Sequence, residues 1–272
     1  MTLTGAIRSS PIARPTLLAE AIETDRAYFE MGASVRTLPG AVLAWMPGFS
    51  ASPAAAVIHR VNPVEVAGAG TGWVGQVEEA LMEVGASFAR IYLDAPDKAV
   101  GELLRNAGYV DRDELIFTGS IPLPSTELKL RPVISEADWA RKLAFHREAE
   151  ITPDGHHNDP SDWVALEKRK CASGMEAFLA EIDREPVGAI GAIWRDGLLR
   201  LKNIVVHPAR RRRAVGQAML ARLSELGRAR GVFEQCVLAV RGEVGEYFYR
   251  AIGLQPIGVQ VEWSKRLGDP AQ

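Results

Sequence analysis

The chain has 272 residues, of which 47% are hydrophobic and 24% charged, and its formal net charge is −2. This length suits two domains of ordinary size, each with its own core, and the near-neutral charge argues against a general nucleic-acid-binding surface. No apolar run spans a bilayer, the start MTLTGAIRSSPIARP lacks the apolar stretch of a secretory signal, and Cys171 and Cys236 form neither a disulfide framework nor a metal-ligand spacing. The expectation is a cytoplasmic protein with no metal, no nucleic-acid partner and no membrane partner.

In chain order, Leu17 to Met31 predicts a helix, with Leu18, Ile22 and Phe29 near one face. Val35 to Phe49 and Ala54 to Val61 read as strands, punctuated by Pro39-Gly40, Pro47-Gly48 and Pro53. Gly68 to Gly72, GAGTG, reads as a flexible loop, and a helix follows from Val74 to Val84. Phe88 to Leu93 predicts a strand, Lys98 to Asn106 a short helix and Leu115 to Ile121 a closing strand. Such alternation implies an α/β layer fold. Pro122 to Ser125 is the best linker candidate.

From Leu128 the order begins again. Leu128 to Val133 predicts a strand, and Ser135 with Asp138 resembles a helix-opening capping box. The helix that follows carries Trp139, Leu143 and His146 on one face, so His146 reads as a helix-face histidine. A polar loop, ITPDGHHNDP, leads into a helix from Ser161 to Cys171. Strands follow at Ala177 to Asp183 and Val187 to Trp194, around a turn at Arg184-Glu185, and at Leu198 to Val206. After a further helix come a strand at Phe233 to Val240, a helix at Val244 to Ile252 and a last strand at Ile257 to Trp263.

The most informative stretch is LKNIVVHPARRRRAVG, Leu201 to Gly216. The β-branched run Ile204-Val205-Val206 favours a buried strand, and Pro208 cannot continue its ladder. Arg210 to Arg213 follow, and then Val215, Met219, Leu223 and Leu226 mark one helix face. A strand, a basic loop and a helix N-terminus together make a site for a pyrophosphate. Arg211-Arg212-Arg213-Ala214-Val215-Gly216 resembles the acyl-CoA-binding signature of the GNAT acetyltransferase superfamily, with Ala214 where the family usually has its first glycine. Phe248-Tyr249-Arg250-Ala251-Ile252-Gly253-Leu254 resembles the family's F-Y-x-x-x-G-F. Seven residues before Tyr249 the family often has a cofactor-binding asparagine, and this chain has Gly242. The resemblance covers residues 128 to 265.

The two halves also resemble each other. Val61-Asn62-Pro63 matches Val206-His207-Pro208, Val74-Gly75-Gln76 matches Val215-Gly216-Gln217, and Leu103 to Tyr109 matches Phe248 to Leu254. The first half has no arginine in its loop, carries Glu65 there, and has Leu104 where Tyr249 stands. The expected architecture is therefore an α+β mixed-sheet fold of two tandem GNAT-like domains, each a central, mostly antiparallel sheet flanked by helices. Residues 1–124 form the degenerate domain and 125–272 the acetyl-CoA-binding, catalytic one.

What the resemblance implies is an N-acetyltransferase that moves an acetyl group from acetyl-CoA to a primary amine of a small molecule or an amino-acid derivative. Backbone groups of Ile204, Val205 and Val206 would hold the pantetheine arm. N–H groups from Arg211, Arg212, Arg213, Ala214, Val215 and Gly216 would hold the pyrophosphate, and Tyr249 would be the general acid. Asp154, His156 and His157 in the polar loop border the family's acceptor site, with Asp159 nearby. They also read as a solvated turn, and no general base is assigned. A non-catalytic acyl-CoA-binding sensor or scaffold remains the alternative, prompted by Ala214 and Gly242.

Overall fold

The computed structural model describes residues 15–49, 52–124, 127–150, 159–195 and 197–268. The first half opens with helix α1 (Pro15–Glu30) and a hairpin of β1 (Ser34–Leu38) and β2 (Ala41–Trp45). The break expected at Pro39-Gly40 separates the two strands, with Gly40 at φ 66° turning the chain. Then come β3 (Ala56–His59), α2 (Pro63–Ala69), α3 (Thr71–Glu83), β4 (Phe88–Leu93), α4 (Lys98–Asn106) and β5 (Val110–Thr118). The GAGTG stretch is not the loop its composition suggests. Its residues end α2 and start α3, and Gly70 alone is the joint, at φ 59°. Trp73 and Val74 are buried just beyond it, so tertiary packing overrides the weak helix propensity of glycine.

The second half runs β6 (Lys129–Pro132), α5 (Glu136–Ala149), α6 (Ser161–Cys171), β7 (Glu176–Ile182), β8 (Glu185–Arg195) and β9 (Leu198–Val206). A 3-10 turn at Pro208–Arg210 precedes α7 (Val215–Ala229), β10 (Glu234–Val240), α8 (Val244–Ala251) and β11 (Gln255–Arg266). Ser135 and Asp138 do form a reciprocal capping box at the start of α5. The β7–β8 turn sits one residue earlier than expected, at Asp183 and Arg184. Both have positive φ, 52° and 71°, the conformation of a two-residue hairpin.

The eleven strands among the described residues belong to one mixed, mostly antiparallel sheet in the order β1-β2-β3-β4-β11-β5-β10-β9-β8-β7-β6. The order shows an exchange. The last strand of the second half, β11, lies beside β4 of the first, and the last strand of the first half, β5, lies beside β10 of the second. β11 and β5 then pair with each other from Gln255↔Thr118 to Ser264↔Val110. Each half thus completes its partner's sheet.

Alternation along the central strands separates two environments. Val261 and Trp263 of β11 join an apolar cluster with α3 and α4, while Leu115 and Phe117 of β5 join another with α7 and α8. Gln260 and Glu262 of β11 are also buried, on the opposite face. There α1 lies across both halves. Its Phe29 packs with Ala44 and Val57 of the first half and Ile193 of the second.

Candidate active site

The site begins where β9 and β10 part. Their parallel pairing covers three positions, Leu198↔Glu234, Leu199↔Gln235 and Arg200↔Cys236, and then stops although both strands continue. From Leu201 onward, the β9 edge that faces β10 has no ladder partner. Between Lys202 and Val205 the register with β8 shifts around Asn203, whose φ is 52°. This bulge adds one residue to β9 and resets which side chains face each side. Ile204 and Val206 then pack toward α7, while Val205 packs against α5 and α6.

A cleft of about 680 Å³ opens at this gap and is lined from both halves of the chain. Leu201 to Ile204 and Val237 to Val240 form its walls at the gap, and Tyr249 of α8 reaches it. The first half supplies Ala54, Val57, Phe88, Arg90 and Tyr92, with Asp25 and Tyr28 from α1. Tyr249 is 6% exposed and packs against Phe117 of β5 and Phe248, with ring centroids 5.7 and 5.3 Å away. Burial raises its phenol further above the ordinary value of 10, so it is protonated at neutral pH.

The basic loop crosses from β9 to α7. His207 Nδ1 accepts from Ala209 N at 3.2 Å and opens the 3-10 turn. Arg211, Arg212 and Arg213 are exposed, and Arg211 Nε donates to Val206 O at 3.4 Å. Ala214 has φ 57°, a left-handed conformation that glycine adopts freely, held here with a methyl group. Helix α7 has no side-chain cap, and its first backbone bond runs from Ala218 N to Ala214 O at 2.9 Å. The N–H groups of Val215, Gly216 and Gln217 therefore have no partner within the helix, which is the arrangement that receives an anion. Asp154, His156 and His157 lie outside the described residues. Asp159 is exposed and pairs with Arg147 at 3.4 Å. Among the described residues, no three His, Cys, Asp or Glu side chains could hold a metal ion, and no helix is long and apolar enough to cross a membrane.

Charges line the other end of the cleft, and sequence reasoning singled out none of them. Asp25 accepts from Arg200 at 2.9 Å and from Lys202 at 3.2 Å. Burial alone would raise its carboxyl, but those two cations hold it below the usual range. Glu262 of the exchanged strand binds Arg90 and Tyr92, and Arg112 at 3.1 Å. At the bulge, Asn203 accepts from Tyr28 Oη at 3.3 Å and donates to Glu167 at 2.9 Å, while Glu167 also pairs with Lys142 in a fully buried contact. The period-two pattern Gln260-Val261-Glu262-Trp263-Ser264 was a usable signal for a polar sheet face. Nothing local marked Lys170 or Asn203.

Residues 173–255 match the family profile of the acetyltransferase (GNAT) domain. No curated protein matches the chain. Among solved structures, a GCN5-related N-acetyltransferase from Kribbella flavida is 15% identical with a TM-score of 0.63, over 94% of this chain and 96% of that one. A conserved protein of unknown function from Staphylococcus epidermidis is 13% identical with a TM-score of 0.66, over 87% of this chain and 95% of that one. A tandem GNAT protein from the clavulanic acid biosynthesis pathway is 13% identical with a TM-score of 0.55, over 96% of this chain and 98% of that one.

Proposed function

We propose, from the match of residues 173–255 to the acetyltransferase (GNAT) domain and the likeness of the fold to a tandem GNAT protein, that the chain is an acetyl-CoA-dependent N-acetyltransferase acting on a small primary amine or an amino-acid derivative. The observation that carries this reading is the gap between β9 and β10, with Tyr249 reaching the cleft and the uncapped N-terminus of α7 following β9 through the basic loop. We assign the chemistry to residues 125–272, and to residues 1–124 the roles of cleft wall and partner in the shared sheet. The free thiols of Cys171 and Cys236 suit work in the cytoplasm.

The residues present fit such a donor. The unpaired edge of Ile204, Val205 and Val206 would hold the extended arm by backbone hydrogen bonds. The N–H groups from Arg212 to Gly216, in a loop with four arginines, would hold the pyrophosphate, while the Arg211 N–H is already taken by Pro208 O at 3.3 Å. Acetyl-CoA supplies the acetyl group as a thioester. A backbone N–H near Val206 would polarise its carbonyl as the acceptor nitrogen replaces sulfur on the carbonyl carbon, and Tyr249 Oη would give the departing thiolate its proton.

The test is calorimetry with acetyl-CoA together with CoA release over a panel of amines. One binding site per chain and turnover of at least one amine are expected. Two equivalent sites would overturn the assignment to one half, and absence of binding would overturn the reading. A second reading, an acyl-CoA sensor without turnover, is favoured by Ala214 and Gly242; it requires binding with no CoA release for any acceptor.

A further inference from the structure

Five cationic side chains line the cleft: Arg90, Arg112, Lys170, Arg200 and Lys202. Four of them have a carboxylate within ion-pair distance, from Glu262 or Asp25. Lys170 is the exception among the described residues. It is 3% exposed, and its Nζ donates to the Tyr28 carbonyl at 2.5 Å and lies 4.1 Å from the Tyr28 ring centroid. Neither contact neutralises an ammonium. Lys202 Nζ stands at the same distance from that ring, which adds a charge of like sign to its surroundings. A buried cation without a counter-ion is costly. Burial, and then the charges of Lys202 and Arg90, bring Lys170 down to about 7.

The opposite deficit occurs in the same cleft at Glu114 of β5. Its side chain is 13% exposed and has one ion pair, with Arg112 at 3.6 Å. Arg112 is held closer by Glu262, at 3.1 Å. Burial, and then the carboxylates of Glu262 and Asp25, raise the Glu114 carboxyl above its ordinary value. No ion pair joins Glu114 to Lys170. Among the buried and half-buried side chains described, the cleft therefore contains one under-compensated positive group on α6 and one under-compensated negative group on β5.

We infer that the acceptor is a zwitterion, an amine that also carries a carboxylate, with its anionic group received by Lys170 and its ammonium by Glu114. This deepens the acetyl-transfer reading and rests on it. A simple amine would satisfy Glu114 and leave Lys170 uncompensated. A simple acid would do the reverse. An amino acid complements both ends. The same logic explains why neither side chain has an internal partner of full strength: such a partner would have to be displaced by substrate.

The test pairs amino acids of different amine–carboxylate spacing with the amines that lack the carboxylate. Suitable pairs are lysine beside cadaverine, phenylalanine beside phenethylamine, and 4-aminobutyrate beside propylamine. CoA release should be confined to the carboxylate-bearing member of a pair. Lys170→Met should raise KM for that member on the order of 10- to 100-fold, the size of one lost charge-assisted contact, and Lys170→Arg should restore much of it. Glu114→Gln should raise the same KM. Melting curves check that the variants fold, and removal of an uncompensated buried charge should not lower Tm. Equal turnover of amines and amino acids, or an unchanged KM in folded Lys170→Met, would overturn the proposal. So would the absence of turnover for every amino acid while acetyl-CoA still binds. Loss of acetyl-CoA binding in the wild type would instead remove the reading beneath it.

Discussion

Gly216 and Phe248 are packed so closely that a β-carbon added at Gly216 would lie 3.1 Å from Phe248 Cζ. The first belongs to the basic-loop motif and the second precedes Tyr249, so this contact joins the two motifs through space. Gly216→Ala should gain up to about 1 kcal/mol of helix propensity and lose a similar amount by crowding. The expected outcome is a Tm that barely moves and an acetyl-CoA affinity that falls several-fold, because the first turn of α7 must shift. Calorimetry beside a melting curve checks both, and an unchanged affinity would show that the turn tolerates the displacement.

Tyr249→Phe keeps the ring against Phe117 and Phe248 and removes the hydroxyl. If the phenol protonates the leaving sulfur, kcat should fall by roughly 10²–10⁴ with little change in acetyl-CoA affinity. A tyrosine that only packs would give nearly wild-type kcat.

Ala214 holds a left-handed conformation, at φ 57°, with an exposed methyl group. Ala214→Gly removes a strain of about 1–2 kcal/mol, offset in part by about 0.4–1 kcal/mol of extra unfolded-state freedom. A small net stabilisation is expected, with acetyl-CoA binding retained or tightened. Urea unfolding measures the first, and a destabilised Gly variant would mean the methyl packs usefully.

Lys142 and Glu167 form a buried pair, and Glu167 also accepts from Asn203 at the β9 bulge. Lys142→Met leaves a buried carboxylate unpaired and should cost roughly 3–5 kcal/mol in urea unfolding. Lys142→Met combined with Glu167→Gln removes that charge and keeps an acceptor for Asn203. It should recover a substantial part of the loss. Equal loss in the single and double variants would show that packing, rather than the unpaired charge, sets the cost.

Lys170 gives a pH signature. Its pKa is about 7 in the folded chain against an ordinary 10.5, the direction produced by burial and then by Lys202 and Arg90. Between those values the unfolded chain binds the proton and the folded chain does not, so this group makes stability rise with pH across that window. Below 7 both states are protonated and the contribution is at its most unfavourable. Lys170→Met should therefore flatten the difference in unfolding free energy between pH 7 and pH 10. An identical pH profile in the variant would place the ammonium in contact with water or with a counter-ion.

Much of the architecture was determined by the sequence alone. Periodicity placed α4, β4, α6 and β9 at their observed bounds, because an amphipathic helix or a buried β-branched run is a local property. The loop arginines, Gly216 and Tyr249 were likewise legible as motifs at a set spacing. Only the tertiary structure decided the rest. The exchange of β5 and β11 is invisible locally, since a strand's own alternation does not say which neighbour it pairs with. The start of α3 at Thr71-Gly72 depended on burying Trp73, which outweighed glycine propensity. Lys170, Glu114, Asp25 and Asn203 stand on α6, β5, α1 and β9, far apart in sequence, and a charged residue on any of these reads as an ordinary solvated side chain. Their meaning comes from sharing one low-dielectric cleft, where a charge must find a partner, and proximity of that kind is a property of the folded chain.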